Sequence, residues 1–532
     1  MKPWKRAALF AAAIIFAPLV SANDAPDTPA GITVNVEEQD LSRLSAAIAN
    51  GTMTSEEITA AYLQRIARFD DANNQINAVI AVMPDAIAQA RFMDAERKAG
   101  KYRGPMHGIP VLLKDNIEAE GPVATTAGSL ALKDNITNRD AALVARLRAA
   151  GAVILGKTNL SEWANIRSTN STSGWSAVGG LTKNPYALDR NSCGSSSGSG
   201  AAIAASFAAG AVGTETDGSI TCPAGINGLV GFKPTVGLIS RRFVVPISHS
   251  QDTPGPMTRS VMDAAIMLTA MAGSDPEDPA TAEADTWRGN YAAGLNVSAL
   301  KGMRIGVVRA PDVSAPPFDA ALAKLKEGGA ELVPVDFKPV DEKKLGDAEF
   351  TVLKAELKAD IATYLQTLPA GLVPHKTLAD LIAYNIAHAG TELQFFNQDI
   401  FEAAQKEPSL EDPSYITARA TSFQLASDGL NRLFVNNKLD VIIAQTNGRA
   451  WLSTLGKGDA FSGPSVSTLP AVAGYPHLTV PMGLDDGLPV GLSFIGAKWH
   501  DYAVLKAGYA YEQLSKARIA PTYAGTIETK KP

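Results

Sequence analysis

The sequence predicts an α/β layered fold built around a central sheet. Two patterns carry the prediction. Short apolar runs of strand length alternate with helical segments along much of the chain, and the composition, 46% hydrophobic and 19% charged over 532 residues, is that of an ordinary globular protein. In chain order, Thr54-Ser55-Glu56-Glu57 has capping-box spacing, and Ile58, Tyr62, Leu63 and Ile66 follow on one helical face. Pro84 to Lys101 reads as a second helix, stopped near Gly100 and Gly104. Ile109 to Leu113 is a short strand, Ala141 to Ala150 a helix, Ala152 to Leu155 a strand and Leu160 to Ile166 a helix. Ser199 to Ala209 is a helix of small residues after a Gly/Ser loop. Met303 to Val308, Val441 to Ala444, Leu478 to Met482 and Val490 to Ile495 read as strands, and Asp501 to Leu514 as a closing helix. The stretch from about 309 to 427 is helix-rich and reads as a cap over the site. No internal repeat is present.

The N-terminus reads as an export signal. Lys2, Lys5 and Arg6 precede an apolar run from Ala7 to Val20, and Val20-Ser21-Ala22 fits a signal-peptidase site. The run has 14 residues, short of the roughly 20 a spanning helix needs. Cleavage is expected after Ala22, followed by a flexible lead-in over 23–39 and a protein without a membrane anchor, in the periplasm or outside the cell. The charge, 48 basic against 54 acidic residues, includes no basic stripe for nucleic acid. The 6 histidines and 2 cysteines show no metal-ligand spacing, so no metal or cofactor is expected. Oligomeric state is not readable from the chain.

Two motif matches are decoys. Gly151 to Thr158 fits G-x4-G-K-[ST], but its four middle residues are strand-like and a helix precedes them, the reverse of a phosphate-binding loop. Gly194-Ser195-Ser196-Ser197-Gly198 fits G-x-S-x-G, but no buried strand leads into it, so Ser196 is a poor elbow nucleophile. The informative constellation is larger. Cys193 to Gly200 (CGSSSGSG) is followed by a small-residue helix and then by Gly213 to Ile220 (GTETDGSI). Ser195 and Ser219 are 24 residues apart, a length at which a loop–helix–strand unit can bring its ends together. Upstream, Gly108 to Asp115 ends an apolar strand in Lys114, the place where open α/β sheets set their ligand crevice. Burial there favours a neutral amine, a usable base. Taken alone, Lys114-Asp115 reads better as a solvated surface pair.

These segments resemble the amidase signature family: GIPVLLKDN (108–116), GAVILGKTNLSEWAN (151–165), CGSSSGSG (193–200), GTETDGSI (213–220) and AGYPHLTVPMGLDDGLPVGLSFIG (473–496). The likeness runs in order over roughly residues 40 to 520. Within the family, residues 161–191 and 221–241 look most like bacterial peptide amidase, which removes the C-terminal amide of peptides. The resemblance implies a three-layer α/β/α fold with a central mixed sheet, one domain over 40–525 with a helix-rich insertion at about 309–427. It implies a serine amidase with Lys114 as base, Ser195, preceded by a cis peptide bond, as relay, Ser219 as nucleophile, and an oxyanion hole of backbone N–H groups at Thr216, Asp217, Gly218 and Ser219. The substrate implied is a peptide amide. Small aryl or aliphatic amides are the alternative, and a catalytically silent amide-binding protein the reading from another class. Many family members carry Gly-Gly-Ser-Ile-Arg at the nucleophile, where this chain has Asp217-Gly-Ser-Ile-Thr221. That weakens a reading as a glutamine-dependent amidotransferase subunit. If Ser195 and Ser219 meet, Cys193 and Cys222 become neighbours, either as a disulfide or as two buried thiols.

Overall fold

A computed structural model describes residues 34–71, 76–336 and 341–529. The expected signal peptide, residues 1–22, and the lead-in as far as residue 33 lie outside the described residues. The rest of the lead-in is anchored rather than flexible. Val36 is buried, and the Glu38 carboxylate accepts two hydrogen bonds from Arg518 at 3.0 and 2.7 Å. No helix among the described residues is long and apolar enough to cross a membrane.

Fifteen strands are described: β1 (Val79–Val82), β2 (Pro110–Lys114), β3 (Val153–Thr158), β4 (Trp175–Ser176), β5 (Gly180–Leu181), β6 (Lys183–Asn184), β7 (Ala187–Asn191), β8 (Gly210–Glu215), β9 (Val230–Lys233), β10 (Thr253–Thr258), β11 (Arg304–Val307), β12 (Glu331–Pro334), β13 (Val441–Gln445), β14 (His477–Asp485) and β15 (Leu488–Ile495). Eleven form one twisted sheet in the order β1-β3-β2-β8-β10-β9-β14-β15-β13-β11-β12, while β4–β5 and β6–β7 are small separate pairs. The sheet is mixed. The steps β3-β2-β8 and β13-β11-β12 are parallel and the others antiparallel. Strands β2, β3 and β8 are buried along their whole length, as strands covered on both faces must be.

Helices flank the sheet. Asp501–Ser515 packs on β14 and against Val261–Met271 and Ala315–Glu327, and Val261–Met271 packs in turn on Leu41–Asn50 and Ala142–Ala149. The short helices Ser197–Ala204 and Thr221–Ile226 lie against β2, β3 and β8 and against β9, β14 and β15. Small residues permit that close fit. A Cβ on Gly198 would come 2.3 Å from the carbonyl oxygen of Ala78 and 2.7 Å from the amide nitrogen of Asn159. The long helices Glu342–Gln366 and Pro413–Asn437 pack together, and the first reaches the site through Leu353.

The capping box at Thr54 and Glu57 forms as expected. Two expected helices differ. Leu160 to Ile166 forms a single tight turn in which Trp163, Ala164 and Asn165 adopt left-handed backbone, φ 49°, 53° and 72°. Tertiary contacts override the helical pattern there: the Trp163 N–H donates to Ala127 O at 2.9 Å, and the Glu162 carboxylate holds Arg167 at 2.6 Å. The helix expected over 199–209 spans 197–204. Ser206, at φ 57°, ends it, and Arg259 donates to the carbonyls of Ile203 and Ala208 at 3.0 and 3.1 Å.

Candidate active site

Lys114 closes β2 and is fully buried. Its amine lies 2.7 Å from Ser195 Oγ, 2.8 Å from Thr214 Oγ1 and 3.2 Å from Thr214 O. Thr214 comes from the neighbouring strand β8, whose parallel pairing with β2 sets this contact. Asn116 Nδ2 donates to Thr214 Oγ1 at 3.0 Å and orients it. No carboxylate makes an ion pair with Lys114 among the described residues. Burial draws its pKa down to about 7, against smaller opposite pulls from Asp252 and Glu215. A neutral amine has two N–H donors and one lone pair. Two donations to Thr214 use the hydrogens and leave the lone pair facing Ser195.

Ser195 follows a cis peptide bond from Gly194 and is fully buried. Its carbonyl accepts from the Ser161 N–H at 3.1 Å. Ser196, the elbow-like decoy, is occupied with structure: its hydroxyl donates to Thr214 O at 3.1 Å and accepts from Thr214 N–H at 3.2 Å. The other decoy lysine, Lys157, is a buried strand residue of β3 that bonds Ile117 O and Thr125 Oγ1 at 2.5 and 2.8 Å.

Ser219 sits on the turn between β8 and helix Thr221–Ile226. Gly218 makes that turn at φ 78°, and the Cys222 N–H closes it onto Gly218 O at 2.9 Å. Glu215 Oε2 locks the far side, accepting from the N–H groups of Ile220 and Thr221 at 2.8 and 2.9 Å and from Thr221 Oγ1 at 3.3 Å. Thr221 is thereby engaged with the protein itself. The N–H groups of Asp217, Gly218 and Ser219 meet no acceptor among the described residues.

The two serine segments are joined twice. The Ser196 N–H donates to Ser219 O at 3.2 Å, and Cys193 and Cys222 form a disulfide with Cα atoms 6.0 Å apart. Of the two states open to these cysteines, the structure takes the disulfide. The structure thus brings Lys114 and Ser195 into direct contact and Ser219 beside them, but no hydrogen bond joins the Ser195 and Ser219 hydroxyls.

A cavity of about 480 Å³ opens over Thr216, Asp217, Gly218, Ser219 and the disulfide. The rest of its wall comes from residues 164–166, Ile247, Leu353 and the segment between β13 and β14, including Asn447, Trp451, Phe461 and Ser467. The Trp451 and Phe461 rings meet at a tilt of 55°, their centres 4.4 Å apart. The sequence reading missed this wall, and also Thr214 and Asn116. The available signal was an irregular Gly/Ser/Pro-rich stretch carrying two aromatics between two strands.

One group among the described residues, His249, Glu356 and Asp360, brings ligand-type atoms within 4.8 Å of one another. It is already satisfied internally. His249 Nδ1 pairs with Asp360 at 2.9 Å, and Glu356 accepts from Tyr415 OH at 2.7 Å and from the Ser250 N–H at 3.1 Å.

The amidase family model matches residues 57–505. The structure of native peptide amidase from Stenotrophomonas maltophilia is 48% identical, superposes with a TM-score of 0.87, and covers 92% of this chain and 99% of its own. A structure of the peptide amidase in complex with the competitive inhibitor chymostatin is also 48% identical, with a TM-score of 0.87, over 91% of this chain and 99% of that one. A probable amidase of Arabidopsis thaliana is 37% identical over 514 residues, 95% of each chain. With a central mixed sheet, flanking helices and a family match over most of its length, the chain belongs to the amidase signature family of amide hydrolases.

Proposed function

We propose that this chain is an exported serine amidase that removes the C-terminal amide of peptides, with Ser219 as nucleophile, Ser195 as relay and Lys114 as base. One observation carries the reading: a fully buried amine, unpaired with any carboxylate among the described residues and drawn down to about 7, lies 2.7 Å from a buried serine hydroxyl. Deprotonated Lys114 takes the Ser195 proton as Ser195 takes that of Ser219, once the Ser219 hydroxyl turns toward it. Ser219 then attacks the amide carbon. The negative charge on the former carbonyl oxygen falls to the backbone N–H groups of the 216–219 turn, each such donor contributing about 3 kcal/mol. The proton returns through Ser195 to the leaving nitrogen, which departs as ammonia, and water hydrolyses the acyl-serine by the same relay.

The peptide-amide substrate is supported by the likeness to peptide amidase and by the apolar Trp451, Phe461 and Leu353 side chains around the cleft. Export is supported by the Lys2 to Ala22 pattern and by a disulfide, which persists in oxidising compartments. The test is ammonia release from amidated dipeptides, simple aryl amides and aliphatic amides, with Ser219→Ala and Lys114→Ala alongside. Near-wild-type turnover in either variant ends the assignment, and a preference for simple amides moves the substrate to the alternative class.

A further inference from the structure

The part of the cleft wall between β13 and β14 forms a strap, and one carboxylate holds its returning limb. The strap starts and ends at the cavity, where Asn447 and Ser465 make an antiparallel bridge. Gly448 and Gly463 cross there without room for side chains. A Cβ on Gly448 would come 1.6 Å from Ser462 O, and one on Gly463 would come 2.8 Å from Gly448 Cα. The outgoing limb lies along β7. The Asn191 N–H donates to Trp451 O at 2.8 Å, and the Ser453 N–H donates to Asp189 O at 3.0 Å. The returning limb, residues 454–462, has no such backbone pairing among the described residues, and its one side-chain hydrogen-bonded tie to the body there is Asp459. Asp459 Oδ1 accepts from the Ser173 N–H at 3.0 Å and Oδ2 from Ser173 Oγ at 2.6 Å, two bonds strengthened by the carboxylate charge.

Ser173 carries the contact inward. Its Oγ accepts from Asn165 Nδ2 at 2.9 Å, its carbonyl accepts from Asn191 Nδ2 at 2.8 Å, and its Oγ lies 3.0 Å from where a Cβ on Gly194 would stand. Asn165 and Gly194 both line the cavity. Asp459 therefore fastens the strap to the fixed side of the cleft. Two residues beyond it, Phe461 is 64% exposed, yet it meets the Trp451 ring and lines the same cavity as Ser219, together with Ile166, Ile247 and Leu353. An exposed aromatic at the rim of a substrate cavity is apolar surface that a ligand can cover.

We infer that the strap is the specificity element of the cleft: fastened by Asp459, it sets Phe461 beside Trp451 to receive an apolar side chain on the residue that bears the scissile amide. The inference rests on the reading of Ser219 as the nucleophile of a peptide amidase. Asp459 is a positioning residue that acts through Phe461. With the tie cut, Phe461 loses its fixed place, while the contact of Lys114 with Ser195 stands on other bonds.

The test compares amidated dipeptides that end in Phe and in Gly. Wild type is expected to favour the Phe amide in kcat/KM by about tenfold or more, the scale set by a filled apolar pocket. Asp459→Ala, and separately Phe461→Ala at an exposed position, are each expected to bring that ratio to about threefold or less, through a rise in KM for the Phe amide rather than a fall in kcat. Hydrogen exchange reads the tie without substrate: the 454–462 amides should exchange faster in D459A than in wild type, with those of β2 and β8 unchanged. Calorimetric binding of the two dipeptide amides to Ser219→Ala protein, with and without D459A, measures the preference where nothing is turned over. A chain that releases no ammonia from any amide ends the amidase reading, and the binding comparison still decides the role of the strap. The inference is overturned if the Phe amide is not preferred, if the preference survives D459A or F461A, or if strap exchange is the same in D459A as in wild type.

Discussion

Lys114 and Lys157 sit on adjacent parallel strands, both fully buried, yet they serve opposite ends. In the β2–β3 register Lys114 pairs with Thr158, and Leu113 with Lys157. Lys157 has a carboxylate, Asp115, at 3.7 Å, together with Ile117 O and Thr125 Oγ1. Burial lowers its pKa and Asp115 opposes the fall. Among the described residues Lys114 has only hydroxyls and a carbonyl for partners, and no charge in contact offsets its desolvation. Burial alone therefore does not make a base; what surrounds the amine decides whether the proton is kept or released. The acidic neighbour of Lys114 in sequence, Asp115, is spent on the other lysine.

The largest test of this contrast is substitution of each lysine by methionine. Lys114→Met is expected to cut amide turnover by roughly four orders of magnitude or more, as loss of one member of a proton-relay unit does, while leaving the melting temperature equal or higher. The unfolded chain binds the Lys114 proton more tightly than the folded one, so the opposition of this lysine to folding builds as pH falls from 10.5 to about 7 and is fully present below that value. Lys157→Met should do the reverse. It strands buried Asp115 and is expected to cost about 3–5 kcal/mol of stability in urea unfolding, with no shift in the pH profile of whatever folds.

The pH profile sharpens the same point. A base acts only when deprotonated, so kcat/KM should climb as pH rises through about 7 and be lost on acidification, and initial rates across that range check it. A limb that appears only near the ordinary lysine value would place the proton elsewhere.

Next in size is the cross-link on the Lys114 side. Replacing Cys193 and Cys222 together by alanine should lower unfolding free energy by about 3 kcal/mol, since the bridge spans a sequence separation of 29. Thiol-free protein compared in urea measures it. The smallest effect belongs to a site remote from both lysines. Thr54→Ala removes the cap hydroxyl that accepts from the Glu57 N–H at 3.1 Å, and should cost about 1 kcal/mol with turnover unchanged.

The buried runs of β2, β3, β14 and β15 make the layered fold legible in the sequence, because strands covered on both faces read as near-continuous apolar segments. Strand β10 is not legible: Thr253–Thr258 contains Pro254 and Pro256, which argue against a central strand. Both lie in register with β8, opposite Thr214 and Val212, while β9 pairs with β10 only at Met257 and Thr258. Lys114, Ser195 and Ser219 stand out because each lies in a short, compositionally distinct segment. Thr214, Asn116 and the aromatic wall at Trp451 and Phe461 do not, since their roles arise from strand register and from a loop with no periodicity. Trp163 and Ala164 fail for the same reason, as long-range bonds choose a left-handed turn over a helix.

The sheet order carries a consequence for synthesis. Strand β2 with the amine and strand β8, which leads into the Ser219 turn, lie in one half of the sheet, and the hydrogen-bonded seam between the halves is β9 against β14, Gly231 to Lys233 opposite His477 to Thr479. A chain emerging from its N-terminus therefore holds every proton-carrying group long before it has a cleft wall, which arrives with residues 446–468, or the seam that seats it. Distance along the chain works as a timer here, delaying a competent centre until nearly the whole polypeptide is available to close it.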